Sequence, residues 1–284
     1  MPVTDTASPA WTPPTSGKGM ADENFPVAGL LLAARHRPVV AAYYRFARTA
    51  DDIADDPALP TDRKLALLDR LEAVLSGEAP AAAAPPAAAL RPLLLDRGVP
   101  LTVAADLLVA FRADARNTPC ETWDELMAYC RHSAAPVGRF LLRLHGAPAA
   151  ADSPADALCA ALQVLNHLQD LRADWTRLGR RYLPLEDMAE PADLGRTPAP
   201  ERLRAPILAA LERTRDLLAA AAPLPVLAGD RRLAMQSAMV LHLAHRLAAR
   251  LTAAAPHTEG VRAARHHWLT AALAGLAAGA GVRP

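Results

Sequence analysis

Residues 161–184, ALQVLNHLQDLRADWTRLGRRYLP, carry the most informative pattern of apolar and polar positions in the chain. Leucines at every third position make the predicted helix apolar on several sides, which is typical of a helix packed deep in a protein. A further face collects oxygen-bearing side chains at spacings of three and four residues. These side chains are Gln163, Asn166, Asp170 and Asp174.

A second polar stripe lies in residues 39–56, VVAAYYRFARTADDIADD, which we predict to form one helix that ends at Pro57. Two aspartates one turn apart are usually part of a solvated helix face. Two such stripes on apolar helices, both close to arginines, are more specific and favour one site shared by the two helices. The side chains on this second stripe are Tyr44, Arg48, Asp51 and Asp55.

The rest of the chain also has helical patterning. Alanine and leucine, the strongest helix formers, dominate a composition that is 52% hydrophobic and only 4% aromatic, so we predict an all-α protein. Thr122 and Glu125 have the spacing of a capping box at a helix start. We expect helices over roughly residues 61–76, 102–115, 205–221, 230–253 and 258–278, and a loop or broken helix over residues 78–92.

The two ends and the overall charge limit the class of protein. Residues 1–16 lack periodicity, so we expect a disordered N-terminal segment followed by one domain over residues 17–284. We expect no signal peptide and no membrane span, because no basic segment precedes an apolar one and no long apolar run occurs. A formal net charge of +1 gives no general bias toward nucleic acid. We therefore expect a cytoplasmic protein.

The chemistry of the two stripes points to a metal and a phosphate. Carboxylate and amide oxygens are ligands for Mg²⁺, and arginines bind phosphate oxygens in bidentate fashion. Together they describe a site for a diphosphate ester held by bridging metals. The chain has no Walker loop and no GxGxxG motif, so neither a nucleotide nor NADPH is expected. Alanine, leucine and valine in the remaining lining would suit a hydrocarbon tail.

The paired motifs ARTADDIAD and ALQVLNHLQDLRADWTRLGRRYLP resemble those of the squalene/phytoene synthase family. The resemblance extends from about Lys18 to about Gly260. It implies an isoprenoid synthase-type helical bundle, a single domain around a central cavity.

Finer segments, SGKGMADENFPVA, RFARTADDIADDP and YCRHSAAPVGR, and Trp175 are similar to one branch of this family, found in bacterial hopanoid pathways. This resemblance implies Mg²⁺-dependent ionisation of presqualene diphosphate, rearrangement, and capture by water to give hydroxysqualene and diphosphate. Functional coupling to a presqualene diphosphate synthase and to a hydroxysqualene reductase is implied too. Weak association with the inner membrane would suit such apolar compounds, although no anchor is evident.

The resemblance also implies roles for individual residues. Asp51 and Asp55 would match the first aspartate motif, and Asn166, Asp170 and Asp174 the second, both holding Mg²⁺. Arg48 would contact the diphosphate, with Tyr44 one turn earlier. Further substrate contacts are expected from Gln163, Lys18, Phe25, Tyr129, Arg181 and Tyr182.

Two positions depart from the family pattern. Gln169 stands where condensing relatives commonly carry arginine, which fits a changed reaction. Ala135 stands where this branch is expected to carry asparagine, which leaves the role of the following Pro136 kink open.

Two other functions stay open at this point. The first keeps the family and changes the step to a condensation of two prenyl diphosphates, giving presqualene diphosphate, squalene or phytoene. The second is a non-catalytic relative that serves in binding or assembly. Such a protein would be expected to lose aspartates, whereas all four motif aspartates are present.

Overall fold

The computed structural model describes Trp11, residues 32–184 and residues 191–281. These residues form α-helices and short 3-10 turns and contain no strand, so the predicted all-α class is confirmed. The helices are α1 (Arg37–Asp55), α2 (Thr61–Ser76), α3 (Pro85–Asp96), α4 (Thr102–Ala115), α5 (Trp123–Ser133), α6 (Ala135–Leu144), α7 (Asp152–Leu178), α8 (Arg204–Ala221), α9 (Leu224–Leu227), α10 (Arg231–Ala254) and α11 (Arg265–Gly279).

Local signals in the sequence set several helix ends. Thr122 accepts a hydrogen bond from the Glu125 N–H, and the Glu125 side chain accepts one from the Thr122 N–H, so the predicted capping box is confirmed. Gly179 ends α7 in the left-handed conformation, at φ 64°. This stop matters for function because it turns the chain back toward α1.

The structure gives detail to one predicted element, the loop or broken helix over residues 78–92, and corrects another. Residues 78–92 contain a 3-10 turn and most of α3, because Pro85 and Pro86 occupy the first helical positions, where a missing N–H costs little. The last helix begins only at Arg265. Gly260, at φ 71°, lies in a turn, and the residues between it and Arg265 are not helical. The expected start at residue 258 is therefore wrong.

Two hydrophobic clusters build the interior. One contains apolar residues of α1 to α4, and the other those of α5 and α7 to α10. Helix α6 joins them, since Phe140 and Leu144 belong to the first cluster, Leu142 to the second, and Leu141 packs against both. The two stripe-bearing helices, α1 and α7, thus belong to different halves of one molecule.

Some expectations fall outside the described residues. These are most of the N-terminal segment 1–16 and the side chains of Lys18 and Phe25. Among the described helices, none is both long and apolar enough to cross a membrane.

Neighbouring leucines on α3 test the core directly. Leu94 is fully buried and Leu95 is 50% exposed. We expect Leu94→Ala to lower the free energy of unfolding by about 2–5 kcal/mol, because it leaves a cavity. Leu95→Ala, with the same loss of atoms from the same helix, should cost less than about 1 kcal/mol. Urea unfolding followed by circular dichroism measures both, and equal losses would contradict this packing.

Candidate active site

A cavity of about 390 Å³ lies between α1 and α7. Helix α4 and the junction of α5 with α6 complete its walls. Polar groups from both predicted stripes face it, so the two motifs, more than a hundred residues apart in sequence, share one hollow. The lining residues are Tyr43, Tyr44, Ala47, Arg48, Asp51, Phe111, Ser133, Ala134, Val137, Cys159, Leu162, Gln163 and Asn166.

Helix α1 presents its polar stripe to the cavity while another side of the helix is buried. Val40, Phe46 and Ile53 are within the core. On the opposite face the Arg48 Nη1 donates to the Asp51 Oδ2 at 2.8 Å, and the Arg48 guanidinium lies 5.8 Å from the centre of the Tyr44 ring. A cation and a carboxylate are thus held side by side at the cavity wall.

Helix α7 places its stripe along the opposite wall and beyond it. Gln163 and Asn166 line the cavity, and Asp170 and Asp174 follow at one-turn intervals toward the end of the helix. Asp170 is exposed and Asp174 is partly buried. The second motif therefore begins in the cavity wall, at Gln163 and Asn166, and continues along α7 beyond the cavity lining.

Arg180 connects the two motifs. Its side chain is only 8% exposed and forms an ion pair with Asp55 at the end of α1. Its Nη2 also donates to the carbonyl oxygens of Ala54 at 2.9 Å and Asp114 at 3.2 Å. The sequence placed Arg180 among the arginines near the second motif but did not single it out. The local signal that could have identified Arg180 is Gly179, the residue directly before it, which ends α7.

The carboxylates of the two motifs influence one another. Burial, then Asp170 and Asp55, raise the pKa of Asp174 to about 7, against the opposing charge of Arg180. Burial, then Asp55, also raise the pKa of Asp51, against the opposing charge of Arg48. The two stripes therefore concentrate negative charge in one region, which a bound cation would relieve.

A buried network lies behind the α7 wall. Asp114 is 7% exposed and accepts hydrogen bonds from the hydroxyls of Tyr129 and Tyr182, both at 2.9 Å. The His167 ring stacks on Tyr182 at 3.8 Å, and its Nε2 lies 3.2 Å from the Gln163 Nε2. This chain of contacts links the cavity-facing Gln163 to the α4 carboxylate.

Several other predicted residues lie apart from the cavity lining. Tyr129 and Tyr182 turn their hydroxyls to Asp114, and Arg181 pairs with Glu121 at 3.0 Å. Their predicted substrate contacts stay predictions, as do those of Lys18 and Phe25.

The two departures from the family pattern occupy buried positions. Gln169 is 5% exposed and donates to the Val261 carbonyl oxygen, behind α7. Ala135, at 3% exposed, begins α6, with Pro136 as the next residue of that helix.

The donor set fits a hard divalent cation in its chemistry. Asp51, Asp55, Asn166, Asp170 and Asp174 offer only oxygen atoms, and their negative charge is concentrated as described above. Across residues 32–184 and 191–281, however, no three acidic, histidine or cysteine side chains are grouped closely enough to hold one ion. Asp55 is instead engaged by Arg180.

A smaller apolar chamber of about 160 Å³ adjoins the cavity. Val137, Cys159 and Leu162 line both spaces, so the two hollows meet at these side chains. Leu233 and Val240 of α10 form part of its far wall. The polar end of the cavity therefore leads into a hydrocarbon-lined space.

Comparison with known proteins identifies the family to which this chain belongs. A model of the squalene/phytoene synthase family matches residues 19–270. The chain belongs to this family. The "Hydroxysqualene synthase" of Rhodopseudomonas palustris is 42% identical over 87% of this chain and 85% of its own length. The "Hydroxysqualene synthase" of Zymomonas mobilis is 41% identical over 89% and 85%.

A solved structure of the same family has the same fold. The squalene synthase HpnC from Alicyclobacillus acidocaldarius superposes with a TM-score of 0.68 at 31% identity, covering 78% of this chain and 85% of its own. The predicted family is thereby confirmed. Membership of the squalene/phytoene synthase family indicates an enzyme that acts on prenyl diphosphates.

Replacement of Arg180 tests the bridge between the motifs. Arg180→Lys keeps the charge, but one ammonium group cannot serve the Asp55 carboxylate and both carbonyl oxygens in the same geometry. We expect a loss of about 1–3 kcal/mol in the free energy of unfolding, measured in urea. Arg177→Lys, at an exposed position on α7, is the matched control and should change little. Equal stability of the two variants would contradict the bridging role.

The raised pKa of Asp114 leads us to predict a specific dependence of stability on pH. Burial raises the pKa of this carboxyl from 3.8 to about 6, against Arg180 and the two tyrosine hydroxyls. The folded state thus prefers the neutral carboxyl. The stability that Asp114 contributes is therefore fully present below about pH 4 and is lost as the pH rises through about 6. Asp114→Asn, which is always neutral, lacks this loss.

The melting temperatures of the Asp114→Asn variant and the wild type, compared from about pH 4 to pH 7, measure this effect. The variant should gain stability relative to the wild type as the pH rises, by about 1–3 kcal/mol in all. Asp216→Asn on the exposed side of α8 serves as the control and should show no such trend. A relative loss with rising pH would contradict the burial of Asp114.

Proposed function

We propose that this member of the squalene/phytoene synthase family is a hydroxysqualene synthase. It would convert presqualene diphosphate and water into hydroxysqualene and diphosphate, which makes it a carbon–oxygen lyase. The observation that carries the proposal is the identity of 41–42% over 85% of the length of two proteins bearing that name. The cavity, polar at one end and apolar beyond it, supports a substrate with a charged head and hydrocarbon chains.

The charged head would bind at the polar end. Arg48 is placed to donate to diphosphate oxygens, and its contacts with Asp51 and Tyr44 hold the guanidinium in position. Mg²⁺ would be held by oxygens drawn from Asp51, Asp55, Asn166, Asp170 and Asp174. Bound there, the ion would neutralise the charge of the departing diphosphate.

The apolar walls would protect the cation left behind. Ala47, Phe111 and Val137 line the cavity with apolar groups, which offer a water molecule no hydrogen-bond partner. A carbocation formed there meets few nucleophiles, which allows rearrangement before capture. The Tyr44 ring, on the cavity wall, can stabilise positive charge through its π face.

The assay uses the purified chain with Mg²⁺ and presqualene diphosphate, without NADPH. We expect hydroxysqualene and diphosphate as products. Farnesyl diphosphate alone should be left largely untouched, whereas a condensing enzyme would consume it. Release of a hydrocarbon without NADPH, or no turnover, would overturn the proposal, and the second outcome would favour a binding or assembly role.

Asp170 provides the sharpest test of the metal site because its exposure separates activity from stability. Asp170→Asn removes a charge without emptying the core, so the melting temperature should stay close to that of the wild type. We expect turnover to fall about 100-fold or more and the Mg²⁺ concentration for half activity to rise. Asp216→Asn should leave both unchanged. An unaltered Mg²⁺ requirement in Asp170→Asn would exclude this residue from metal binding.

A further inference from the structure

Helix α11 has an apolar face that the rest of the described structure leaves open. Leu269, Leu273 and Leu276 are 72%, 66% and 57% exposed. Their spacing of four and three residues places them in one stripe along the helix. Trp268, at 39% exposed, lies beside its start. A helix that is apolar on all sides is normally buried, so a stripe of this kind indicates that something covers it.

The inner face of α11 is already occupied. A Cβ added at Gly275 or Gly279 would lie 2.7 Å from the Cγ of Met239 or Met235 on α10, so the helices approach closely. The His242 Nε2 lies 2.8 Å from the Thr270 hydroxyl and further ties them together. The helix cannot turn its leucine stripe inward without losing these contacts.

The charge around α11 is strongly positive. Residues 231–284 contain seven arginines, no lysine and a single acidic residue, a formal charge of +6, whereas residues 1–230 carry −5. Arg246 and Arg250 of α10 are exposed, and after burial and His266 they contribute to lowering the pKa of His267 in α11. Their charge therefore reaches the start of the apolar stripe.

We propose that the outer face of α11 docks on an anionic membrane surface. Exposed leucines beside a tryptophan and a basic cluster are the combination that binds a helix in the plane of an anionic bilayer. A second copy of the chain suits this face less well, because it would bring the same +6 charge.

The outer face of α11 lies close to the apolar chamber, which gives membrane docking a functional consequence. Helix α10 holds α11 on one side, and its Leu233, Ser237 and Val240 line the smaller apolar chamber on another. A membrane against α11 would thus lie one helix away from the apolar space. Apolar compounds would have a short path between the bilayer and the cavity.

Vesicle flotation with the full chain tests the proposal without any assay of activity. The probes are vesicles of phosphatidylcholine alone and vesicles that contain about one-third phosphatidylglycerol. We expect about tenfold more protein on the anionic vesicles, decreasing with added salt. Leu269→Gln with Leu273→Gln keeps helix-forming residues and should reduce binding about tenfold. Leu95→Gln, at the exposed position on α3, is the matched control and should bind normally.

Two results would overturn docking by α11. The first is an absence of binding to anionic vesicles, or equal binding by the double glutamine variant and the wild type. The second is a dimer in size-exclusion chromatography that the same double variant converts to a monomer, since this would identify a second copy as the occupant.

Discussion

The ion pair between Arg180 and Asp55 is the contact on which the arrangement of the site depends. It joins the end of α1 to the end of α7, and the same guanidinium holds the carbonyl oxygens of Ala54 and Asp114. The Arg180 guanidinium would be difficult to bury without these partners, since an unpaired buried charge is costly. Together they let two acidic helices from different halves of the molecule end beside each other.

The cavity that results is chemically divided. Its polar end carries Arg48 and Asp51, while Val137 and Leu162 lead into the second, apolar chamber. Such a division matches the amphipathic substrates on which the squalene/phytoene synthase family acts. Helix α10 extends the division outward, since it separates the apolar chamber from the exposed leucines of α11. One helical bundle thus contains both a polar site and an exposed apolar face.

Much of this could be predicted from local patterns. The composition determined the all-α class, because alanine and leucine favour helices over strands. The spacing of three and four residues identified both oxygen-bearing stripes, and the Thr122 capping box marked the start of α5 correctly. These features need only neighbours in the sequence. The family also followed from the two motifs, since the residues within each motif stand close together along the chain.

Other features depended on contacts between distant segments, and only the tertiary structure decided them. Asp114 ends an ordinary helix in the sequence, yet the fold buries it against Tyr129 and Tyr182, 15 and 68 residues away. The sequence likewise showed Arg180 as one of several arginines, because its partner Asp55 lies 125 residues earlier. Periodicity reports which side chains share a helix face. What that face meets is determined by packing, which brings together residues that carry no local signal of each other.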